Sequence, residues 1–85
     1  MQFLAQIHIT PKEGVNNPEG LAIASALENL GFKSIIDIKS GKYIELTIQN
    51  TESIAQAESI VDKMCNQLLS NIVIEQFTFK LQEID

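Results

Sequence analysis

Alternating apolar and polar residues mark the central part of this chain. Residues 35–49 form two such runs, which meet at Ser40-Gly41. The apolar positions that share one side are Ile36, Ile38, Ile44, Leu46 and Ile48. Period-2 alternation on both sides of a glycine-containing turn is typical of a β-hairpin, and Gly41 can adopt the positive φ that a tight turn requires. The pattern predicts a hairpin with one apolar face and one polar face.

A strand and a helix are predicted before the hairpin. Residues 2–10 alternate and predict a strand that ends at Pro11, since proline cannot donate a hydrogen bond to a neighbouring strand. Asn17 and Pro18 then begin a helix, because asparagine caps free N–H groups and proline suits the first helical position. Gly31 ends this helix. The buried stripe is expected to consist of Ile23, Ala26, Leu27 and Leu30.

A longer helix is predicted after the hairpin. Ser53 and Gln56 have the spacing of a capping box, which indicates a helix over residues 53–70. Its apolar face is expected to contain Ile54, Ala57, Val61, Met64, Cys65 and Leu68. Cysteine and methionine at these positions are most simply explained as core-filling residues.

A final strand is predicted over residues 72–81, followed by a polar tail at residues 82–85. Phe77, Phe79 and Leu81 share one face of this strand. Its first three residues are apolar on both faces. Either a bulge near Glu75 changes the facing, or this end of the strand is covered on both sides.

The predicted order of elements is therefore β-α-β-β-α-β within a single domain, residues 1–85. This order is that of an α+β ferredoxin-like split unit, with two helices on one face of an antiparallel sheet. The opposite sheet face is expected to carry a few apolar residues that could pack sheet to sheet in an oligomer. These are Leu4, Ile35, Ile72 and Ile74.

The size of the chain restricts how it can be stabilised. A domain of 85 residues buries only roughly 60–65% of the surface that its unfolded chain exposes. Cys65 is the only cysteine, so a disulfide within the chain is excluded, and one histidine with one cysteine argues against a structural metal. Oligomerisation is the remaining means of stabilising so small a domain.

Charge and composition exclude several classes of function. The formal net charge is −5, and all six basic residues are lysines. An acidic surface argues against nucleic acid as a partner. The N-terminal residues lack the pattern of a signal peptide, and no apolar run is long enough to cross a membrane, so we expect a cytoplasmic protein with no membrane partner.

No set of residues in the sequence predicts catalysis. His8 has no carboxylate or thiol at a motif spacing, and Ser40-Gly41-Lys42 lacks the rest of a phosphate-binding loop. An acylphosphatase-like hydrolase of this fold would depend on an arginine, and the chain contains none. The residues therefore predict no catalytic residue and no metal site, and they favour a binding or assembly module over an enzyme.

Several motifs, in order along the chain, resemble those of the PurS family, the small subunits of phosphoribosylformylglycinamidine synthase. The resemblance covers residues 1–80. The motifs are Pro11-Lys12-Glu13-Gly14-Val15, Pro18-Glu19-Gly20, Ala26-Leu27, Leu30-Gly31-Phe32, Gly41-Lys42-Tyr43-Ile44-Glu45-Leu46, Met64-Cys65, Leu68-Leu69, Asn71 and Val73-Ile74-Glu75. Two positions depart from the family pattern. Lys39 replaces a common arginine before the turn, and Ile72 replaces a frequent proline.

The resemblance implies a non-catalytic subunit that works as a homodimer or higher oligomer. Its partners would be a glutaminase subunit, which releases ammonia, and a large synthase subunit, which uses that ammonia. ATP, Mg²⁺ and glutamine would be used by the partner subunits, with no cofactor bound by this chain. The small subunit would bridge the two partners and support ammonia transfer.

The tip of the predicted hairpin and the closing motif supply the candidate partner-binding residues. These are Lys39, Gly41, Lys42, Tyr43, Asn71 and Glu75. Lys42 and Tyr43 follow the turn, where this domain's own core is not expected to need a side chain. The alternative function is a free-standing dimeric sensor of small ligands such as amino acids, because the ferredoxin-like fold by itself does not determine function.

Overall fold

The computed structural model describes residues 1–84, which form three strands and two helices. The elements are β1 (Gln2–Pro11), α1 (Pro18–Asn29), β2 (Lys42–Ile48), α2 (Ile54–Met64) with a π-helical turn (Cys65–Leu69), and β3 (Glu75–Ile84). The strands form an antiparallel sheet in the order β2-β1-β3. The expected α+β class and the ferredoxin-like split arrangement are confirmed, although the sheet lacks one of the four predicted strands.

Strand β1 is the centre of the sheet and of the core. It pairs with β2 from Phe3↔Ile48 to Ile9↔Lys42, and with β3 from Gln2↔Ile84 to Pro11↔Glu75. One face of the sheet packs against α2. The buried apolar residues are Phe3, Ala5, Ile7, Ile9, Ile48, Ala57, Val61 and Cys65. Residues that are partly buried against them are Ile44, Leu46, Leu69, Phe77, Phe79 and Leu81.

The predicted helix ends are confirmed by hydrogen bonds of the capping side chains. The Asn17 side chain accepts the Gly20 N–H at 2.6 Å, and the Ser53 hydroxyl accepts the Gln56 N–H at 3.1 Å. Gly31 follows α1 with a φ of +99°, the left-handed region that favours glycine. The Phe32 N–H donates to the Leu27 carbonyl, which is among the last carbonyls of the helix.

The second helix differs from its prediction in the last turn. Residues Cys65–Leu69 form a π-helical turn, in which the Ser70 N–H donates to the Cys65 carbonyl at 3.0 Å. A π turn is wider than an α turn, so each residue advances by a smaller angle. This rotation turns Leu69 towards the core and leaves Leu68 exposed, so the prediction of Leu68 on the buried face is wrong. Ile54 and Met64 are also exposed.

Neither explanation proposed for the start of the last strand is correct. Residues 72–74 form a turn in which the Asn71 carbonyl accepts the N–H groups of Ile74 and Glu75, at 3.0 and 2.7 Å. Strand β3 begins only at Glu75 and continues through Ile84. The predicted polar tail is therefore wrong for residues 82–84, and Asp85 lies outside the described residues.

The largest difference concerns the predicted hairpin. Residues 32–41 contain no strand, and Ser40-Gly41 does not turn the chain back on β2. This segment runs beside α1, and we call residues 18–41 the arm. Helix α1 makes no extended contact with any described strand or with α2. The radius of gyration is 16.6 Å, against about 12 Å for a compact domain of this length. The arm therefore projects from the sheet.

The projection of the arm leaves the predicted stripe of α1 without cover. Ile23 and Leu30 are 40% and 74% exposed, Ala26 is exposed, and Leu27 is half-buried. Only α2 covers the core face of the sheet, where two helices were expected. The predicted apolar patch on the opposite face does not form either, because three of its four residues lie outside the strands. These three are Ile35, Ile72 and Ile74.

We predict that Cys65→Ser lowers the free energy of unfolding by roughly 1–3 kcal/mol, because it places a hydroxyl in the apolar core. Cys65 is fully buried, and this burial raises the pKa of its thiol. Ser70→Ala is the matched control. The Ser70 hydroxyl is buried without a hydrogen-bond partner in residues 1–84, so its removal should be neutral or stabilising. Denaturant unfolding at one fixed protein concentration measures both. An unchanged midpoint for Cys65→Ser would contradict the prediction.

Candidate partner-binding surface

Three of the six candidate residues meet at one end of the sheet. Lys42 begins β2 opposite Ile9, and Glu75 begins β3 opposite Pro11. The Lys42 Nζ lies 3.6 Å from Glu75 Oε2, while Glu75 Oε1 accepts the Asn71 N–H at 2.7 Å. The Lys42 side chain is 56% exposed and that of Glu75 is 19% exposed. Lys42 is therefore paired with Glu75 within the chain, at an exposed end of the sheet and outside the apolar core.

The turn that contains Asn71 is fixed against the end of β1. The Lys12 N–H donates to the Ile74 carbonyl at 2.9 Å, and the Lys12 Nζ donates to the Ile72 carbonyl at 2.7 Å. The Asn71 Oδ1 accepts the Val73 N–H at 3.2 Å, as in an Asx turn. This turn exposes three apolar side chains beside the Lys42–Glu75 pair. They are Ile72, Val73 and Ile74.

Lys39 lies apart from that cluster, at the base of the arm. Its Nζ donates to Glu13 Oε1 at 2.6 Å. This hydrogen bond and the attraction between the two charges lower the pKa of Glu13, and the hydrogen bond to Glu13 also raises the pKa of Lys39. The pair joins the loop before α1 to the segment that follows it. Lys39 is thus held within its own chain.

Gly41 has a different role from the one that the sequence predicts. Its φ lies outside the left-handed region, so a tight turn is not the reason for glycine here. A Cβ at this position would collide with the Ile9 carbonyl oxygen, so glycine permits the close approach of the chain to β1.

Tyr43 lies on the opposite face of the sheet from Lys42, as strand alternation requires. Its ring centroid is 4.8 Å from that of His8. Its hydroxyl donates to Glu45 Oε2 at 2.7 Å, and this hydrogen bond raises the pKa of Tyr43. The Gln6 amide lies 3.5 Å from the same Glu45 oxygen. Lys42 and Tyr43, which were predicted to lie together at a hairpin tip, are therefore on opposite faces of the sheet.

Sequence reasoning missed the side chain that fixes the arm. The Asn17 amide donates to the Ser40 carbonyl at 3.2 Å, and its Oδ1 accepts the Ser40 N–H at 3.2 Å. The Ser40 hydroxyl donates to Glu19. A Cβ at Gly20 would collide with the Ile38 carbonyl oxygen, so this glycine also permits close contact. The capping role of Asn17 is readable from the sequence, but nothing there indicates its bond to Ser40.

The part of the chain that the structure describes offers several contact surfaces. Within residues 1–84, no three histidine, cysteine, aspartate or glutamate side chains are grouped as a metal ion would need. The part of the chain that the structure describes also contains no helix long and apolar enough to cross a membrane. The features available for a partner are the Lys42–Glu75 cluster, the Tyr43–Glu45 pair and the apolar arm.

Comparison with known proteins gives one consistent result. The family model described as PurS, phosphoribosylformylglycinamidine (FGAM) synthase, matches residues 4–83. Phosphoribosylformylglycinamidine synthase subunit PurS of Synechocystis sp. is 38% identical over 98% of this chain and 82% of its own length. The Bacillus subtilis subunit of the same name is 32% identical over 96% of this chain and 95% of its own length.

Solved structures give the same result for the fold. The structure of Bacillus subtilis PurS superposes with a TM-score of 0.86 at 32% identity, covering 95% of this chain and 99% of that one. A chain in the structure of PurLQS from Thermotoga maritima superposes with a TM-score of 0.81 at 26% identity. That match covers 96% of this chain and 99% of the other.

We predict that Tyr43, the only tyrosine of a chain without tryptophan, ionises above the ordinary value of about 10. The Glu45 carboxylate accepts the phenol proton and would repel a phenolate, so the pair stabilises the fold at neutral pH. That stabilisation is lost as pH rises through the folded-state pKa of Tyr43. Tyrosinate absorbance gives the midpoint directly. Glu45→Gln should shift the midpoint down, and an equal midpoint in both proteins would contradict the assigned pair.

Proposed function

This chain belongs to the PurS family of phosphoribosylformylglycinamidine synthase subunits, and we propose that it bridges the glutaminase and ATP-dependent synthase subunits of that complex. It is a subunit of a ligase complex of purine biosynthesis, and it adds no catalytic residue of its own. Our proposal concerns which partners it contacts and how it supports the transfer of ammonia between them.

The observation that carries this proposal is the near full-length match to a chain of the PurLQS structure, together with the PurS family match to residues 4–83. The match to that chain covers 96% of this chain and 99% of the other. In the proposed complex, the partner subunits bind and use ATP, Mg²⁺ and glutamine, and this chain binds none of them. We place the complex in the cytoplasm, where those substrates are available.

The two sheet faces give a physical basis for a bridging role. The Lys42–Glu75 cluster lies on the core side at one end of the sheet, and the Tyr43–Glu45 pair lies on the other face. Polar groups on opposite faces can contact two different proteins at the same time. We propose that Lys42, Asn71 and Glu75 contact one partner and that Tyr43 contacts the other. Lys39 and Gly41 instead position the arm, through Glu13 and Ile9.

Self-association is the second part of the proposal. Helix α1 exposes Leu21 and Leu30, at 63% and 74%, and Ile36 in the following segment is 101% exposed. Several large apolar side chains exposed on one short segment of a small domain favour association with another protein surface. We propose a homodimer. The alternative of a free-standing amino-acid sensor gains no support, because each relative compared above is named as a synthase subunit.

We predict that the thermal midpoint of the isolated chain rises with protein concentration, because a dimer that unfolds to monomers is stabilised by mass action. Calorimetry over a hundredfold range of concentration, with sedimentation at the same concentrations, measures this. A stable monomer at micromolar concentration with a constant midpoint would contradict the homodimer.

We predict that Lys42→Glu lowers glutamine-dependent synthesis by the reconstituted complex, while synthesis from excess ammonia persists. The substitution places two carboxylates side by side and reverses the charge offered to a partner. Removing one member of a buried interface pair costs roughly 2–5 kcal/mol, whereas losing the exposed pair within the chain costs about 0–1 kcal/mol. The isolated subunit should therefore melt close to the wild type.

Two further variants separate the internal role of Lys42 from its role towards a partner. Lys63→Glu makes the same charge change at an exposed position on α2 and should leave activity unchanged. The double variant Lys42→Glu/Glu75→Lys restores the charge pair in exchanged form, and Glu75→Lys alone is measured beside it because Glu75 also accepts the Asn71 N–H. If a partner recognises Lys42, activity stays low in the double variant. Full recovery there, or wild-type activity of Lys42→Glu at limiting subunit concentration, would reject this contact.

A further inference from the structure

We propose that the turn at residues 72–74 is the centre of the contact with one of the two partner subunits. Its three apolar side chains would enter an apolar recess of that subunit, and carboxylates at the border of the recess would face Lys12 and Lys42. The proposal rests on the bridging function proposed above. It adds the chemistry of the surface that the partner must present.

The first observation is a run of exposed apolar side chains in a turn. Ile72, Val73 and Ile74 are all exposed, and Val73 at the middle of the turn is 78% exposed. Among the described residues, none of the three belongs to the apolar core. Glycine, proline, asparagine, aspartate and serine are the usual residues of turns, so three β-branched apolar residues in succession have no local reason to be there. Burial by another protein gives such a group a physical reason.

The second observation is that this turn is rigid before it binds anything. The Asn71 carbonyl accepts two N–H groups at the end of the turn, and the Asn71 Oδ1 accepts the Val73 N–H. Lys12 donates from its N–H and from its Nζ to the carbonyls of Ile74 and Ile72. A partner can therefore cover the turn without leaving these backbone groups unpaired. Little conformational freedom remains to be lost on binding, which favours affinity.

The third observation is the charge beside the turn. The Lys12 Nζ bonds to a carbonyl of the turn, and in residues 1–84 it pairs with no carboxylate. The Lys42 Nζ lies 3.6 Å from Glu75, which is beyond hydrogen-bond distance. An ammonium group has three donors, so both lysines have donors to spare. Two exposed cations next to an apolar turn, on a chain of net charge −5, are complementary to carboxylates on the partner.

A second copy of this chain is a less suitable occupant. Two copies that met through this turn about a two-fold axis would present the same surface to each other. Lys12 and Lys42 of one copy would then lie close to the same lysines of the other, and like charges that are brought together oppose binding. We therefore assign the turn to a different subunit of the complex.

Binding of the chain to each purified partner subunit tests the apolar contact. Ile72→Ser should raise the dissociation constant for one of the two subunits at least about tenfold, because truncation at the centre of an interface is costly. Ile54→Ser is the matched control, since Ile54 is 52% exposed and Ile72 is 50% exposed. Ile54 begins α2, at the opposite end of that helix from the turn, so the control should bind as the wild type does.

The outcomes separate this contact from the bridging function itself. If the wild-type chain binds a partner subunit and Ile72→Ser binds it equally well, the contact is overturned and the bridging function stands. If the wild-type chain binds neither subunit, both are overturned. If Ile72→Ser weakens only the self-association of the chain, as measured by sedimentation, the occupant is a second copy and the proposed contact is overturned.

Two substitutions at one position test the sign of the partner's charge. Val73→Lys and Val73→Glu both place a charge in the same contact and differ chiefly in its sign. At low salt, Val73→Glu should bind the partner at least about tenfold more weakly than Val73→Lys, and the difference should shrink as ionic strength rises. Thermal melting of each isolated variant checks its fold. Equal dissociation constants, or weaker binding by Val73→Lys, would overturn the acidic border.

Discussion

Burial of one face of strand β1 is the interaction on which the rest of the structure depends. Phe3, Ala5, Ile7 and Ile9 are at most 1% exposed, and β1 is hydrogen-bonded along both edges. Each fully buried isoleucine or phenylalanine contributes roughly 1.5–3 kcal/mol relative to an exposed one. Helix α2 provides the cover through Ala57 and Val61, and Cys65 continues this cover into the π turn.

This arrangement completes only part of a ferredoxin-like core. Strand β2 contributes Ile44 and Leu46 to the core face, but no helix of the same chain lies fully over them. Helix α1 instead points away from the sheet with its apolar residues exposed. The association proposed for this chain would stabilise a small core of this kind, because contacts with other chains bury further apolar surface.

The charged groups of the candidate surface are already engaged within the chain. Lys42 is paired with Glu75, Lys39 with Glu13, and the Tyr43 hydroxyl with Glu45. A partner that binds these groups must share or replace a contact that already exists within the chain. Each charged group therefore contributes less to the free energy of binding. Apolar surfaces, such as the arm and the turn at residues 72–74, can bind a partner without the loss of a contact within the chain. Charged groups would then serve chiefly to orient the partners.

The sequence alone determined the features that depend on neighbouring residues. The ends of α1 and the start of α2 followed from Asn17, Gly31 and Ser53, because a cap acts within one helical turn. Strand β1 and its buried side followed from alternation. The family followed from motifs spread along the whole chain, and with it a set of six candidate residues that includes Lys42, Asn71 and Glu75.

Only the tertiary structure decided how those segments meet. Alternation shows that residues 35–39 suit a strand, but it does not specify which strand they pair with, since backbone pairing is the same within and between chains. Contacts between residues far apart in sequence hold the arm away: Asn17 with Ser40, and Gly41 with Ile9. The π turn that exposes Leu68 and the separation of Tyr43 from Lys42 likewise depend on the packed sheet. A pattern among neighbouring residues does not show which distant residues will be in contact.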